Sequence, residues 1–227
     1  MTEAENSGAG VPAAGMGELD PALLEEARLV FAAKCEFFAG VAVLDRMPPP
    51  RGLEIAFAGR SNVGKSSLLN ALTGHNKLAR VSNSPGRTRQ LNFFDLGEGR
   101  LTLVDMPGYG YAEASKAEIN RWQGIIRMYL LGRTVLRRVM LLIDARHGIK
   151  ENDADMMGGL DKAAVGYQVV LTKCDKISAR ELAERLENVT AALAKRPAAH
   201  PHIIATSSET GLNIPELRRE IWQAVQG

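Results

Sequence analysis

The chain has 227 residues, long enough for one domain with a sizeable core, and its 45% hydrophobic and 24% charged residues exclude a fibrous or wholly disordered chain. A net charge of +2 is too small to indicate a nucleic-acid partner by itself. The two cysteines, Cys35 and Cys174, stand far apart in no metal-like spacing, which reads as reduced thiols and lends no support to a disulfide framework or a metal centre.

Residues 1–17 hold Ala, Gly, Glu, Ser and Asn with almost nothing to bury, and are expected to be a disordered tail. Glu3 and Glu5, without a basic start or an apolar run, do not read as a signal peptide, so the cytoplasm is the expected location. Residues 18–50 form the next unit: apolar positions from Leu23 to Phe38 recur at roughly helical spacing, and Met47-Pro48-Pro49-Pro50 makes a stiff connector. From 51 to 227, short apolar runs alternate with helical patterns. Leu53 to Ala58, Leu91 to Leu96, Leu101 to Val104, Val139 to Ile143, Gln168 to Leu171 and Ile203 to Thr206 read as strands. None is long enough to span a membrane. Ser115 to Glu118 and Ser178 to Glu181 have the form of capping boxes, and Asn213 to Glu216 is a close relative. Leu182, Leu186, Val189 and Leu193 then line one helical face, as do Ile214, Leu217, Ile221 and Val225.

Alternation of strands and helices implies crossovers, and Gly97-Glu98-Gly99 reads as a hairpin turn. The expected fold is α/β: a mostly parallel six-stranded sheet with one antiparallel edge strand and helices on both faces.

Gly59-Arg60-Ser61-Asn62-Val63-Gly64-Lys65-Ser66 follows the first of these strands and leads into a helical segment ending at Leu72. Two glycines, a lysine and a hydroxyl in this setting meet the requirements of a phosphate-binding loop. Backbone N–H groups at a helix N-terminus attract an anion, and Gly59 and Gly64 let the backbone approach phosphate oxygens. Lys65 is expected to reach the β- and γ-phosphates, and the Ser66 hydroxyl to ligate Mg²⁺.

The base is read elsewhere. Thr172-Lys173-Cys174-Asp175 follows the strand ending at Leu171. Guanine presents N1–H and a 2-amino group side by side, a pair of donors for one carboxylate, whereas adenine would leave Asp175 desolvated and unpaired. Lys173 can lay its alkyl stem along the base. Thr206-Ser207-Ser208, closing the last strand, can offer N–H groups to guanine O6. Asp105-Met106-Pro107-Gly108 follows another strand: Asp105 can hold Mg²⁺ through water and Gly108 N–H can meet the γ-phosphate. Alone, an Asp-x-x-Gly is usually a turn; its place between phosphate loop and base-reading loop gives it weight. The polar loop Ser82 to Gln90 has few packing residues and is expected to move, with Thr88 a second Mg²⁺ ligand.

Five such segments in this order resemble the translation-factor-like P-loop GTPases, within them the Era-like branch, and most nearly the EngB-type ribosome-biogenesis GTPases. The resemblance rests on GRSNVGKS, Thr88, DMPG, TKCD and TSS, and on the runs Asn83 to Phe94 and Asp105 to Ala112. It extends over roughly residues 25–225 and makes 51–227 an EngB-type G domain.

The resemblance implies GTP hydrolysis to GDP and phosphate as a conformational switch. Lys65, Thr88, Gly108 and Asn62 would be catalytic, and Ser66, Thr88 and Asp105 would hold Mg²⁺. Nucleotide contacts would run along Gly59–Ser66, Gly86-Arg87-Thr88-Arg89-Gln90, Asp105–Gly108, Thr172–Asp175 and Thr206–Ser208. Tyr109 stands where many such switches carry a water-orienting glutamine, which implies slow intrinsic turnover, and Asn62 stands where some relatives ligate K⁺.

The implied reader is the large (50S) ribosomal subunit or its precursor, both rRNA and ribosomal proteins, during assembly, with depletion affecting growth and septation. No DNA partner and no membrane span are expected, and the chain is expected to be a monomer. Three basic groups suit a phosphate backbone: Arg80, Arg87 and Arg89; Arg133, Arg137 and Arg138; and Arg146, His147 and Lys150. Two alternatives stay open, a phosphate-loop kinase and a GTP-dependent scaffold at the septum.

Overall fold

The computed structural model describes residues 20–42, 47–75, 78, 90–110 and 116–227, the side chains of 116–123 excepted. The elements are α1 (Pro21–Ala32), β1 (Cys35–Val41), β2 (Glu54–Gly59), α2 (Lys65–Thr73), β3 (Leu91–Leu96), β4 (Leu101–Asp105), α3 (Lys116–Gly132), β5 (Leu136–Asp144), α4 (Glu151–Lys162), β6 (Tyr167–Thr172), α5 (Ala179–Leu193), β7 (Ile204–Ala205) and α6 (Ile214–Gln226). The expected tail and the cap at Ser115 lie outside the described residues.

The strands form one sheet in the order β1-β3-β4-β2-β5-β6-β7. β4, β2, β5, β6 and β7 run parallel, while β3 is antiparallel to both its neighbours. The sheet therefore has seven strands, not six, and the antiparallel strand is covered by β1 instead of forming the edge. The helix expected from Leu23 to Phe38 stops at Ala32, where Ala33 turns extended (φ −70°, ψ 164°). Cys35 to Val41 pairs with β3 because its aromatics find partners there: Phe37 meets Phe94 edge-on at 5.8 Å, and Phe38 lies 6.0 Å from Phe93. Such cross-strand pairs stabilise a strand that helical spacing alone would miss.

Period-two alternation divides the core. Ala56, Ala58, Val139, Leu141 and Ile143 face one layer with Ile125 and Tyr129 of α3, Met157 and Leu160 of α4, and Leu182, Val189 and Leu193 of α5. Ile55, Phe57, Met140 and Leu142 face the other with Val30 and Phe31 of α1, Leu68, Leu69 and Leu72 of α2, and Ile214, Leu217 and Ile221 of α6. The apolar stripes expected on α5 and α6 thus form the helix–sheet contacts. Ser178 and Glu181 make the expected capping box, but Asn213 does not cap α6: it adopts φ 52° and its amide donates to Ala205 O (2.8 Å).

Two polar anchors hold the strand and helix that flank the glycine loop. Glu54, wholly buried at the start of β2, accepts from Tyr129 Oη (3.0 Å) and from Arg133 Nε (2.9 Å) and Nη2 (2.5 Å). Arg218 of α6 donates to Leu72 O and Ala71 O (2.9 and 3.0 Å), satisfying terminal carbonyls of α2.

Candidate nucleotide site

The parallel strands deliver their C-terminal ends to one edge of the sheet, where ligands of open α/β folds bind. β2 ends at Gly59, β4 at Asp105, β5 at Asp144, β6 at Thr172 and β7 at Ala205, so the glycine loop, DMPG, TKCD and TSS emerge at this edge. The start of β3 joins them, because Asn92 pairs with Asp105.

The glycine loop is shaped by two left-handed residues, Asn62 (φ 63°) and Gly64 (φ 107°). Gly64 caps α2, so the helix N-terminus opens directly onto the loop. Gly59 is required by packing: a Cβ there would lie 2.8 Å from Val63 Cγ1 and 3.1 Å from Leu142 O. The DMPG segment lies against this loop. Ser61 N donates to Tyr109 O (3.0 Å) and Tyr109 N to Gly59 O (3.2 Å). A Cβ on Gly108 would fall 3.0 Å from Ser61 Oγ and 3.1 Å from Ser61 N, closer than ordinary packing. Lys65 Nζ is hydrogen-bonded to the buried Asp105 Oδ1, which sets the loop's cation beside the strand-end carboxylate.

The Thr172–Asp175 loop is tied to the glycine loop. Thr172 Oγ1 donates to Val63 O (2.7 Å), and Lys173 Nζ donates to Asn62 O (2.6 Å) and Asp144 Oδ2 (3.0 Å). Lys173 is thus a strap between loops as well as a stem that can lie along a base. Thr206 N donates to Leu171 O (2.7 Å) and Cys174 N to Thr206 O (3.1 Å), which brings Thr206-Ser207-Ser208 alongside Thr172–Asp175. Ser207 Oγ donates to Asp175 Oδ1 (2.7 Å) and Lys176 Nζ lies 2.9 Å from Oδ2.

The hydrogen bond from Ser207, then that from Lys176, hold the Asp175 carboxyl below its ordinary value. Because the shift is downward, the charged form persists through neutral pH and is lost only as pH falls through that lowered value. The preference for GDP over ADP is therefore expected to stay level from about pH 8 to about pH 5 in parallel fluorescence titrations, a ratio in which the terminal phosphate's own titration near pH 6 cancels. A decline in that ratio beginning near neutrality would contradict the ionised carboxylate.

Met106 is fully buried in the core, so only its backbone is available to a ligand, and Val63 is likewise packed inward. Cys174 is buried, and burial pushes its thiol up to about 12, an inert group. Gln90 Nε2 donates to Asn92 Oδ1 (3.0 Å). Arg60 is bridged to Tyr109, while Ser66 and Pro107 are partly exposed. Gly86, Arg87, Thr88 and Arg89, with Arg80, lie outside the described residues.

Of the basic groups, Arg133 is turned onto Glu54 and Pro48 O and Arg138 onto Gln168, both at the sheet edge opposite the strand ends that carry the motifs, while Arg146, just past the end of β5, is turned onto Asp144. Sequence reasoning missed two acids. Asp144 is kept ionised, burial raising its carboxyl but hydrogen bonds from Arg146 and Lys173 outweighing it. An acid closing a buried apolar strand was the available signal. Asp153, three residues after Lys150, is fully buried in the first turn of α4.

Ser66 and Asp105 offer hard oxygens of the kind Mg²⁺ takes, and among the described residues no group of three His, Cys, Asp or Glu could hold a metal by itself. The donor set fits an ion completed by phosphate oxygens and water.

A glycine loop at a helix N-terminus, an Asp-x-x-Gly against it and a Thr-Lys-Cys-Asp loop at the same sheet edge define a phosphate-loop GTPase. Residues 54–173 match the profile of a family described as 50S ribosome-binding GTPase. The chain is 56% identical over 201 residues to the probable GTP-binding protein EngB of Rhodopseudomonas palustris (strain HaA2), covering 88% of this chain and 93% of that one. It is also 56% identical over 200 residues to the Gluconobacter oxydans (strain 621H) protein of the same description, covering 88% of each. A crystal structure of a probable GTP-binding protein EngB superposes with a TM-score of 0.61 at 25% identity, covering 76% of this chain and 98% of that one. A point variant of Aquifex aeolicus Era bound to GDP.AlF4⁻ shares the fold, with a TM-score of 0.61 at 24% identity over 76% of this chain and 56% of that one. The chain belongs to the EngB family of GTP-binding proteins, and it is a GTPase.

Proposed function

We propose that the chain is a GTP-driven switch in assembly of the large ribosomal subunit, working in the cytoplasm and needed for normal division and septation. The observation supporting a ribosomal reader is the match of residues 54–173 to a family described as binding the 50S subunit. In this reading Asp175 selects guanine, held by Ser207, while Gly59–Ser66 cradle the phosphates. Lys65 turns from Asp105 toward phosphate oxygens, and Ser66, Asp105 and Thr88 hold Mg²⁺, which would neutralise phosphate charge. Gly108 N–H meets the γ-phosphate, and loss of that phosphate releases the segments around it.

Tyr109 does not orient water: its side chain is buried and its hydroxyl donates to Asp153. Intrinsic turnover is therefore slow. In the same reading Asn62, exposed at the loop's left-handed turn, would ligate K⁺, and equal rates in K⁺ and Na⁺ would remove that role.

Sedimentation with 50S subunits tests the switch. Co-migration is expected with a non-hydrolysable GTP analogue and release with GDP. Failure to co-migrate in either state would overturn the ribosomal role and favour a scaffold elsewhere.

A further inference from the structure

Tyr109 and Gly110, the two residues after DMPG, abut the first turn of α4. Tyr109 Oη donates to Asp153 Oδ1 (2.8 Å), and Lys150 N donates to Asp153 Oδ2 (2.9 Å). Arg60 Nε, a buried guanidinium nitrogen with no hydrogen-bond partner among the described residues, faces Asp153 Oδ2 at 3.4 Å. Gly110 has φ 78°, and a Cβ there would lie 2.7 Å from Asn152 Nδ2. One fully buried carboxylate thus meets the phosphate loop through Arg60 and the DMPG segment through Tyr109, whose backbones are themselves bridged.

An uncompensated buried carboxylate is costly, so Asp153 must be satisfied from its surroundings. Among the described residues, the donors facing it are the Tyr109 hydroxyl, the Lys150 N–H at the start of its own helix and the Arg60 guanidinium. Two of the three sit on the loops that frame Gly108. Moving Tyr109 would break its bond to Asp153 and its backbone pairing with Gly59 and Ser61 together. The position of the Gly108 N–H is fixed by the same contacts.

We infer that Asp153 is a positioning residue for GTP hydrolysis: through Tyr109 and Arg60 it holds the Gly108 N–H in place against the phosphate loop. It touches no nucleotide atom and acts only through those two residues. This role rests on the reading that Gly108 meets the γ-phosphate. It separates two functions of the site most cleanly in Tyr109→Phe, which leaves the base-reading segments and the Arg60 contact to the phosphate loop in place.

The test uses full-length protein, single-turnover hydrolysis with enzyme in excess, and titrations with GDP and a non-hydrolysable GTP analogue. Tyr109→Phe, Asp153→Ala and the double variant are compared with wild type. Each single change is expected to slow hydrolysis by about tenfold or more, since small misplacement of a reacting group has effects of that size. The double variant should be no slower than the worse single, GDP affinity should hold within about twofold, and analogue affinity should fall, as expected for groups acting as one unit. Unchanged hydrolysis would overturn the inference. So would effects that multiply, or parallel losses of GDP affinity, analogue affinity and thermal stability. If Asp153→Ala does not fold, Tyr109→Phe decides alone, because it removes only the hydroxyl. Gly108→Ala separates the underlying reading: if that variant hydrolyses normally, the γ-phosphate contact is wrong. If Gly108→Ala is slow while Tyr109→Phe is normal, only the role of Asp153 fails.

Discussion

Asp175→Asn is expected to weaken GDP and GTP binding by about a hundredfold or more, the usual scale for losing one member of a charge-assisted hydrogen-bonded pair. In the proposed reading this carboxylate meets the base, and its neighbours hold it in place. Ser207 Oγ fixes Oδ1 at 2.7 Å, Lys176 neighbours Oδ2 at 2.9 Å, and Cys174 N anchors the loop on Thr206 O at 3.1 Å. Asparagine can keep the bond from Ser207, but its amide then sets N–H groups against the donors of guanine. The same amide suits a base with an oxo group at that position, so xanthosine triphosphate is expected to bind the variant better than wild type. Isothermal titration of both proteins with GDP, GTP and xanthosine triphosphate reads this directly. Equal GTP affinity in the two proteins would remove Asp175 from base recognition.

The second large effect is expected at Gly108. An alanine methyl there would lie 3.0 Å from Ser61 Oγ and 3.1 Å from Ser61 Cα and N, and no flexible chain end can yield the room because two of those atoms are backbone. The DMPG segment must back away from the phosphate loop, taking the Gly108 N–H with it. Loss of one preorganised donor to developing charge costs about a hundredfold to a thousandfold in rate. Hydrolysis by Gly108→Ala should fall on that scale while GDP affinity stays near wild type, a split that single-turnover rates and GDP titration measure separately. A matching collapse in GDP affinity would instead mean that the loop itself had been deformed.

Much of this site was legible in the chain because its chemistry is local. Gly59, Gly64, Lys65 and Ser66 lie within one short stretch between the end of β2 and the first turn of α2, and that strand and helix suffice to place them. The gathering of DMPG, TKCD and TSS at one edge followed from parallel strands, which all present the same end. What stayed hidden depends on partners distant in sequence. Cys35–Val41 is a strand because Phe37 and Phe38 meet Phe94 and Phe93, and helical spacing in Leu23 to Phe38 pointed the other way. Arg133 and Arg138 looked like free surface charge, yet Glu54 and Gln168 engage them across 79 and 30 residues. Asp153 carries no motif, and its place beside Tyr109 and Arg60 emerges only once α4 packs against the sheet edge. Asn213 has a capping residue's identity, but a left-handed backbone turns its side chain away from the helix.

The most direct measurement of nucleotide choice is the ratio of dissociation constants for ADP and GDP, taken on the wild-type protein in one buffer. A base-reading carboxylate predicts GDP tighter by about a hundredfold or more, the penalty of leaving that group desolvated and unpaired beside adenine. Comparable constants for the two diphosphates would show that Asp175 does not face the base.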